Sequence, residues 1–184
     1  MKIIAFSMLR TQSTRCAMKM VRPFAGTTLS DILAEKLKHL SVPTFIAGYD
    51  EFYKDVCSRH GVRFVERSKY SAHIDGPIVD ILSFLRDIDA THFLLINGCM
   101  PFLKVETIND FIDICIRENG NPVFAVKEVS DYFISKSGRP LNFSVDLKTI
   151  NTKQVEHVSQ FAHALYFFRK DYFFQHECYW DWNA

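Results

Sequence analysis

Apolar positions along the chain follow two different periods. Residues 2–7, 44–48, 62–66, 92–97 and 122–129 read as strands, several of them continuous apolar runs of the sort buried on both faces. Between them the spacing lengthens to three and four. Leu29, Ile32, Leu33, Leu37 and Leu40 mark one helix, with Thr28 and Asp31 placed for a start like a capping box. Ile78, Ile81, Leu82 and Leu85 mark a second, opened by Pro77 at a first helical position. Ile108, Phe111, Ile112 and Cys115 mark a third, closed by Asn119-Gly120. This alternation predicts an α/β fold in three layers, a mostly parallel sheet with helices on both faces.

Beyond Val129 the pattern changes. Residues 132–135 and 141–145 predict shorter strands, and Lys136-Ser137-Gly138-Arg139-Pro140 between them predicts a hairpin or a protruding arm within roughly 130–160. A further apolar run follows at 164–168. With no internal repeat, linker or low-complexity tract, the 184 residues predict a single domain, 1–184, that carries this arm.

Composition then removes several classes. Hydrophobic residues make up 48% of the chain, which excludes a disordered one, and a net charge of +1 argues against a general nucleic-acid surface. Affinity for phosphate must therefore come from local placement of charge. The five cysteines, at 16, 57, 99, 115 and 178, form no C-x-x-C pair, against both a zinc site and a disulfide framework. No apolar run approaches the roughly 18 residues of a membrane span, and Arg10 interrupts the N-terminal apolar stretch too early for a signal peptide. The expectation is a reducing cytoplasmic compartment, with no membrane and no nucleic-acid partner.

Local placement is most informative in Arg10-Thr11-Gln12-Ser13-Thr14-Arg15-Cys16-Ala17-Met18-Lys19, directly after the first strand. Arg10 and Arg15 can fork onto phosphate oxygens while Lys19 adds a point charge and Ser13 a short donor. Ligands of open α/β sheets bind beyond the carboxyl ends of strands, where this loop falls. A solvated charged loop is the plain alternative.

The pattern R-x-x-S-T-R-x-x-x-K after an N-terminal strand resembles the signature of the sugar-activating cytidylyltransferases, the CMP-N-acylneuraminate and CMP-KDO synthetases and their polysaccharide-biosynthesis relatives. The likeness continues through Lys19, Pro23, Gly26 and Leu29, through Glu66-Arg67-Ser68, and through Ile96-Asn97-Gly98-Cys99-Met100-Pro101-Phe102-Leu103. It implies a fold of the nucleotide-diphospho-sugar transferase type and transfer of CMP from CTP to an acidic sugar, sialic acid-like or KDO-like, with release of pyrophosphate for surface glycan or polysaccharide synthesis. It also implies that Arg10, Ser13, Arg15 and Lys19 hold the triphosphate, with Arg10 and Lys19 in catalytic roles, that Arg67 and Asn97 lie near the nucleotide, and that Gln154 and His163 reach the sugar. Magnesium and a homodimer come with the family. The plain alternatives are a surface salt bridge for Arg67, a turn-capping amide for Asn97 and ordinary packing for His157 and His163. Cys99 reads as a small buried hydrophobe rather than a nucleophile, and the aromatics from Tyr166 to Trp182 as core or interface.

Two departures stand out. Ala17 and Met18 occupy positions where relatives carry Pro and Gly. The late acidic motif that binds magnesium in relatives has no counterpart before Ala184, and Asn97 occupies the neighbourhood of the KDO enzymes' strand-end Asp. Three readings stay open: a fragment, a substitute carboxylate with Asp181 first, or a catalytically incomplete nucleotide-binding homologue or partner subunit.

Overall fold

Ile3, Ile4, Ala5 and Phe6 are all buried, and a segment apolar on both faces belongs in the middle of a covered sheet. It forms β1 (Ile3–Met8) at the centre of the main sheet. The computed structural model describes residues 1–12, 16–146, 148 and 151–180. A small antiparallel hairpin follows, β2 (Pro23–Phe24) and β3 (Thr27–Thr28), turned by Ala25 and Gly26 at φ of 49° and 80°. Then α1 (Leu29–Lys38) begins as its sequence indicates. The Thr28 hydroxyl accepts from the Asp31 amide at 3.1 Å and donates to the Asp31 carboxylate at 2.7 Å.

The chain continues through β4 (Thr44–Gly48), α2 (Glu51–His60), β5 (Arg63–Glu66), α3 (Lys69–His73) and α4 (Ile78–Ile81). After a 3-10 turn at Ser83–Asp87 it forms β6 (His92–Ile96) and α5 (Val105–Arg117). Strands β5, β4, β1 and β6 lie side by side in that order, all parallel. Phe6 and Phe45 meet Phe84 of the 3-10 turn on one face of the sheet. On the other, Tyr53 of α2 packs where a Cβ at Gly48 would come within 3.1 Å of its ring. Helical segments therefore cover both faces, and the architecture is the expected α/β/α sandwich with a mixed sheet.

Two compact units divide the chain, Met1–Val123 with Ala164–Ala184, and Phe124–His163. In the first, the second half of β8 (Val158–Arg169) runs antiparallel to β6, pairing Leu165 with Ile96 and Arg169 with His92, and leads into α6 (Lys170–His176). In the second, β7 (Val123–Val129) lies beside β8, and Phe124 meets Phe161 at 5.8 Å. The organiser of this unit is the buried Asn142. Its amide nitrogen donates to the carbonyls of Asp131 and Glu156, both at 2.7 Å, and its oxygen accepts from the Phe133 amide at 2.8 Å.

Four segments differ from the pattern-based expectation. No helix is marked over 51–60 in the sequence, because α2 buries only Tyr53, Val56 and Cys57 and is otherwise polar. The stripe at 78–85 breaks after Ile81 into the 3-10 turn. Residues 132–135 and 141–145 are not strands. They form a turn closed by one bridge, Ile134 to Pro140, in which the Ser135 amide donates to the Arg139 carbonyl at 2.8 Å. The run at 164–168 is the interior of a twelve-residue strand whose first half is too exposed to show as an apolar pattern. No helix among the described residues is long and apolar enough to cross a membrane, and no disulfide joins the five cysteines.

Candidate functional site

From β1 the chain steps to β4 and β5 on one side, then returns to β6 on the other. Strand order reverses between β1 and β6, and the carboxyl ends at such a reversal are the usual ligand position in these sheets. The segment after Met8 leaves one side of that position and the segment after Ile96 the other.

The cavities beside it lie on the side of β1 toward β5 and are cationic. Arg10, Arg67, Ser71 and Asp75 line a cavity of about 160 Å³, and Arg10 and Asp75 also line a neighbouring one of about 350 Å³ with Thr11, Gln12, Met18 and His73. Arg67 follows β5, its amide bound to the Gly48 carbonyl at 2.8 Å. Its guanidinium is buried, donating to Ser71 Oγ at 3.2 Å, to the Ser71 carbonyl, and to the Ile81 carbonyl at 3.3 Å, with Phe84 5.5 Å away. Burial, with the nearby charge of Arg10 second, pushes Arg67 down to about 10. It is thus neither a surface salt bridge nor a free phosphate ligand, but a positive charge fixed in the wall and bound to neutral oxygens. Arg10 is more exposed and holds Asp75 at 3.1 Å, in a pair whose carboxylate side chain is 73% exposed.

The same loop is tethered once more. The Thr11 hydroxyl and amide donate to the Asp50 carboxylate at 3.1 and 3.3 Å. Asp50 is the N-cap residue of α2 but makes no capping bond to its own helix with its side chain. Beyond it, Met18 sits at φ 57° in the turn that closes through the Val21 and Arg22 amides. This is a left-handed position that Gly would occupy with less strain. The replacement noted in the sequence therefore falls where the backbone makes it matter.

The β6 wall carries no charge of its own. Asn97 caps the turn, its Oδ1 accepting from the Cys99 amide at 3.0 Å, while its own amide donates to the Ala164 carbonyl at 2.9 Å. Gly98 lies tight against the core, and Cys99 is half-buried, its sulfur 3.8 Å from Met20 Sδ. Lys36 of α1 reaches this loop and donates to the carbonyls of Met100 and Pro101 at 2.9 and 2.6 Å. Beneath, Tyr53 is fully buried, and its hydroxyl has no hydrogen-bond partner among the described residues. Burial first, then the charge of Asp50, drives that hydroxyl far above its ordinary value.

Of the residues singled out in the sequence, Arg10 and Arg67 share a cavity, and Asn97 stands at the end of the neighbouring strand. Lys19 is half-exposed and makes no hydrogen bond or ion pair with the described residues. Gln154, exposed in a 3-10 turn, and His163, at φ 52° beside Phe161, belong to the second unit. Ser13, Arg15 and Asp181 lie outside the described residues. Lys36, Asp50 and Asp75 were not singled out. Asp50 is the N-cap residue of a helix that the sequence pattern did not mark, and the reach of Lys36 to a loop sixty-four residues on had no signal either.

The described residues do not form a dedicated cation cage. No group of three or more His, Cys, Asp or Glu side chains converges among them, and Asp50 and Asp75 at this end accept from Thr11 and Arg10.

The α/β/α sandwich with its mixed sheet has the nucleotidyltransferase type of fold. The profile described as the MobA-like NTP transferase domain matches residues 11–175, and the chain belongs to that family. Among solved structures it is similar to a CMP:2-keto-3-deoxy-manno-octonic acid synthetase complexed with CTP, at TM-score 0.72 and 11% identity over 96% of this chain and 77% of that one. It is similar also to the 4-diphosphocytidyl-2C-methyl-D-erythritol synthase of Anaerococcus prevotii DSM 20548, at 0.65 and 15% over 96% and 73%. A cytidylyltransferase from Leptospira borgpetersenii serovar Hardjo-bovis (strain JB197) matches at 0.53 and 17%, over 68% of this chain and 52% of that one. At these identities the likeness concerns the fold. No curated protein matches the chain.

Proposed function

We propose that the chain is a cytidylyltransferase that binds CTP across the switch point between β1 and β6 and transfers CMP to an acidic sugar of the sialic acid or KDO kind. A sugar hydroxyl oxygen bonds to the α-phosphorus as the bond to the bridging oxygen breaks. Pyrophosphate leaves with the bond's electrons, and the hydroxyl proton passes to solvent. Such chemistry rests on positioning and charge neutralisation more than on a covalent intermediate.

The observation that carries this reading is the pair of guanidinium groups in one crevice beyond the end of β1. Among the described residues Arg10 is held only by an exposed pair with Asp75, of a kind worth about 0–1 kcal/mol. A charge-assisted bond to phosphate is worth about 1.5–3 kcal/mol, so a triphosphate can draw Arg10 away. Arg67 cannot leave its carbonyls so cheaply, and its role is a fixed positive potential in the wall. Lys19, which makes no hydrogen bond or ion pair with the described residues, is assigned to the leaving pyrophosphate, and Ser13 and Arg15, outside the described residues, are assigned to the triphosphate. Asn97 borders the nucleotide on the β6 side, and Gln154 and His163 are assigned to the sugar. All three cytidylyl-enzyme structures named above share the fold, which favours cytosine among bases. Magnesium, when bound, offsets phosphate charge. With Asp50 and Asp75 already engaged, it rests chiefly on the phosphates and water.

A second reading is a nucleotide-binding homologue or partner subunit without turnover. It is favoured by Asn97, a neutral amide at the end of β6, and by the engagement of both nearby carboxylates. Pyrophosphate release with four nucleoside triphosphates and a panel of acidic sugars separates the two. Release with CTP and one sugar class supports transfer, and binding of CTP without release under any combination supports the second reading.

Assembly as a homodimer forms part of the proposal. Ile134, Leu141 and Val145 in the second unit are 62%, 65% and 79% exposed, apolar surface that a partner copy would cover. Sedimentation that gives a monomer at every concentration refutes it.

A further inference from the structure

Lys36 lies on α1, the helix that carries the chain from β1 to β4, yet its ammonium serves the opposite wall of the crevice. It donates to two successive carbonyls, Met100 at 2.9 Å and Pro101 at 2.6 Å, in the loop that leaves β6. Burial pushes this amine below its ordinary value, and none of its bonds goes to a carboxylate. A surface lysine left to itself keeps its head in water. Here a partly desolvated charge is fixed on neutral oxygens of one short segment.

The same segment is pressed down from a second direction. A Cβ at Gly98 would come within 3.0 Å of Leu9 Cδ2 and 3.1 Å of both Leu33 Cδ2 and Met20 Cε. Leu33 lies one helical turn before Lys36 on α1, and Leu9 begins the cationic loop. The backbone at Gly98 is thus seated on α1 while Lys36 latches the carbonyls two and three residues further along. Seat and latch together leave the loop little freedom to swing away from β1.

The other end of α1 is braced in turn. His60 Nε2 meets Asp31 at 3.0 Å and His60 Nδ1 meets Glu35 at 3.2 Å, while Arg59 holds Asp31 at 2.7 Å. Helix α2, which supplies His60 and Arg59 at its last turn, supplies Asp50 to Thr11 at its first. Both walls of the crevice are therefore tied to one pair of helices, the β1 loop through Asp50 and the β6 loop through Lys36.

We propose that Lys36 is a positioning residue for nucleotide binding, setting the distance between the β6 loop and the cationic loop. The proposal rests on the reading that a nucleoside triphosphate occupies the crevice between them. A wall loosened by an ångström loses much of the affinity of a site that depends on orientation.

Calorimetric titration of CTP into wild type, Lys36→Met and Lys36→Arg, with thermal unfolding of each, tests it. Lys36→Met is expected to bind CTP about tenfold or more weaker while unfolding close to wild type, with faster hydrogen exchange at the amides of Cys99 and Leu103. Lys36→Arg, able to donate to both carbonyls, is expected to recover most of the affinity. A purely structural lysine lowers the unfolding temperature and leaves CTP affinity unchanged, and that outcome overturns the proposal. If Lys36→Met does not fold, Lys36→Gln, with a single donor group, gives the same comparison. Failure of wild type to bind CTP at all overturns the functional reading beneath it instead.

Discussion

Arg10 and Arg67 leave the carboxyl ends of different strands, β1 and β5, yet line one crevice of about 160 Å³. Like charges are not brought together in a folded chain without a compensating partner. Arg67 takes its partners from the carbonyls of Ser71 and Ile81 and Arg10 from the exposed Asp75. What remains is a cavity beyond β1 walled by two guanidinium groups, an arrangement suited to a polyphosphate.

Replacing Arg67 by Met keeps the volume but removes the donors to Ser71 and Ile81. The Ser71 carbonyl then loses its guanidinium donor, while the Ile81 carbonyl keeps the Ser71 hydroxyl at 2.7 Å, a loss of about 1–3 kcal/mol. For a chain of this length each kcal/mol lowers Tm by roughly 2–4 °C. Calorimetric unfolding should show that decrease together with weaker CTP binding. An unchanged Tm would mean that the buried guanidinium bonds contribute nothing net.

Stability should fall at acid pH in two stages. Burial alone raises the Asp31 carboxyl, but hydrogen bonds from Thr28, Arg59 and His60 outweigh it and hold the group below its ordinary 3.8. Its contribution is full above that value and drains as pH falls through the lower folded value. Burial, with Arg169 second, lowers His92 from 6.5, so the stability linked to neutral His92 is full above 6.5 and drains as pH falls below it. Tm measured from pH 7 to 3 should therefore slope downward twice. His92→Gln should flatten the upper segment and Asp31→Asn the lower, and a flat wild-type profile contradicts both.

Asn142 organises the second unit through three hydrogen bonds of 2.7–2.8 Å. Asn142→Ala leaves the Phe133 amide and the carbonyls of Asp131 and Glu156 without it, each group worth about 1 kcal/mol. Hydrogen exchange should accelerate across residues 131–142 while the amides of β1 and β6 stay protected. Equal acceleration in both regions would show that Asn142 supports the whole chain rather than its own unit.

Much of the fold was legible because its signals are local. Continuous apolar runs gave β1, β4 and β6, and Thr28 with Asp31 gave the start of α1. The misses share a cause. Helix α2 buries three side chains and is held by its neighbours rather than by its own stripe, and the exposed half of β8 has no apolar pattern to read. In the site, Arg10 was marked by charge and position, since both are properties of sequence. The environment of Arg67 was not, because its partners are backbone oxygens whose direction depends on how α3 and α4 pack. Lys36 was invisible for the same reason. A lysine on a helix reads as solvated until its acceptors, Met100 and Pro101, are in place.

Calorimetric titration of CTP into wild type and Arg10→Ala tests the central claim most directly, that a nucleoside triphosphate is held by the cationic loop beyond β1. Saturable binding by wild type is expected, weakened in Arg10→Ala by about 1.5–3 kcal/mol, roughly ten- to more than a hundredfold. Equal affinity in the two proteins contradicts the account, because it places the nucleotide somewhere other than this crevice.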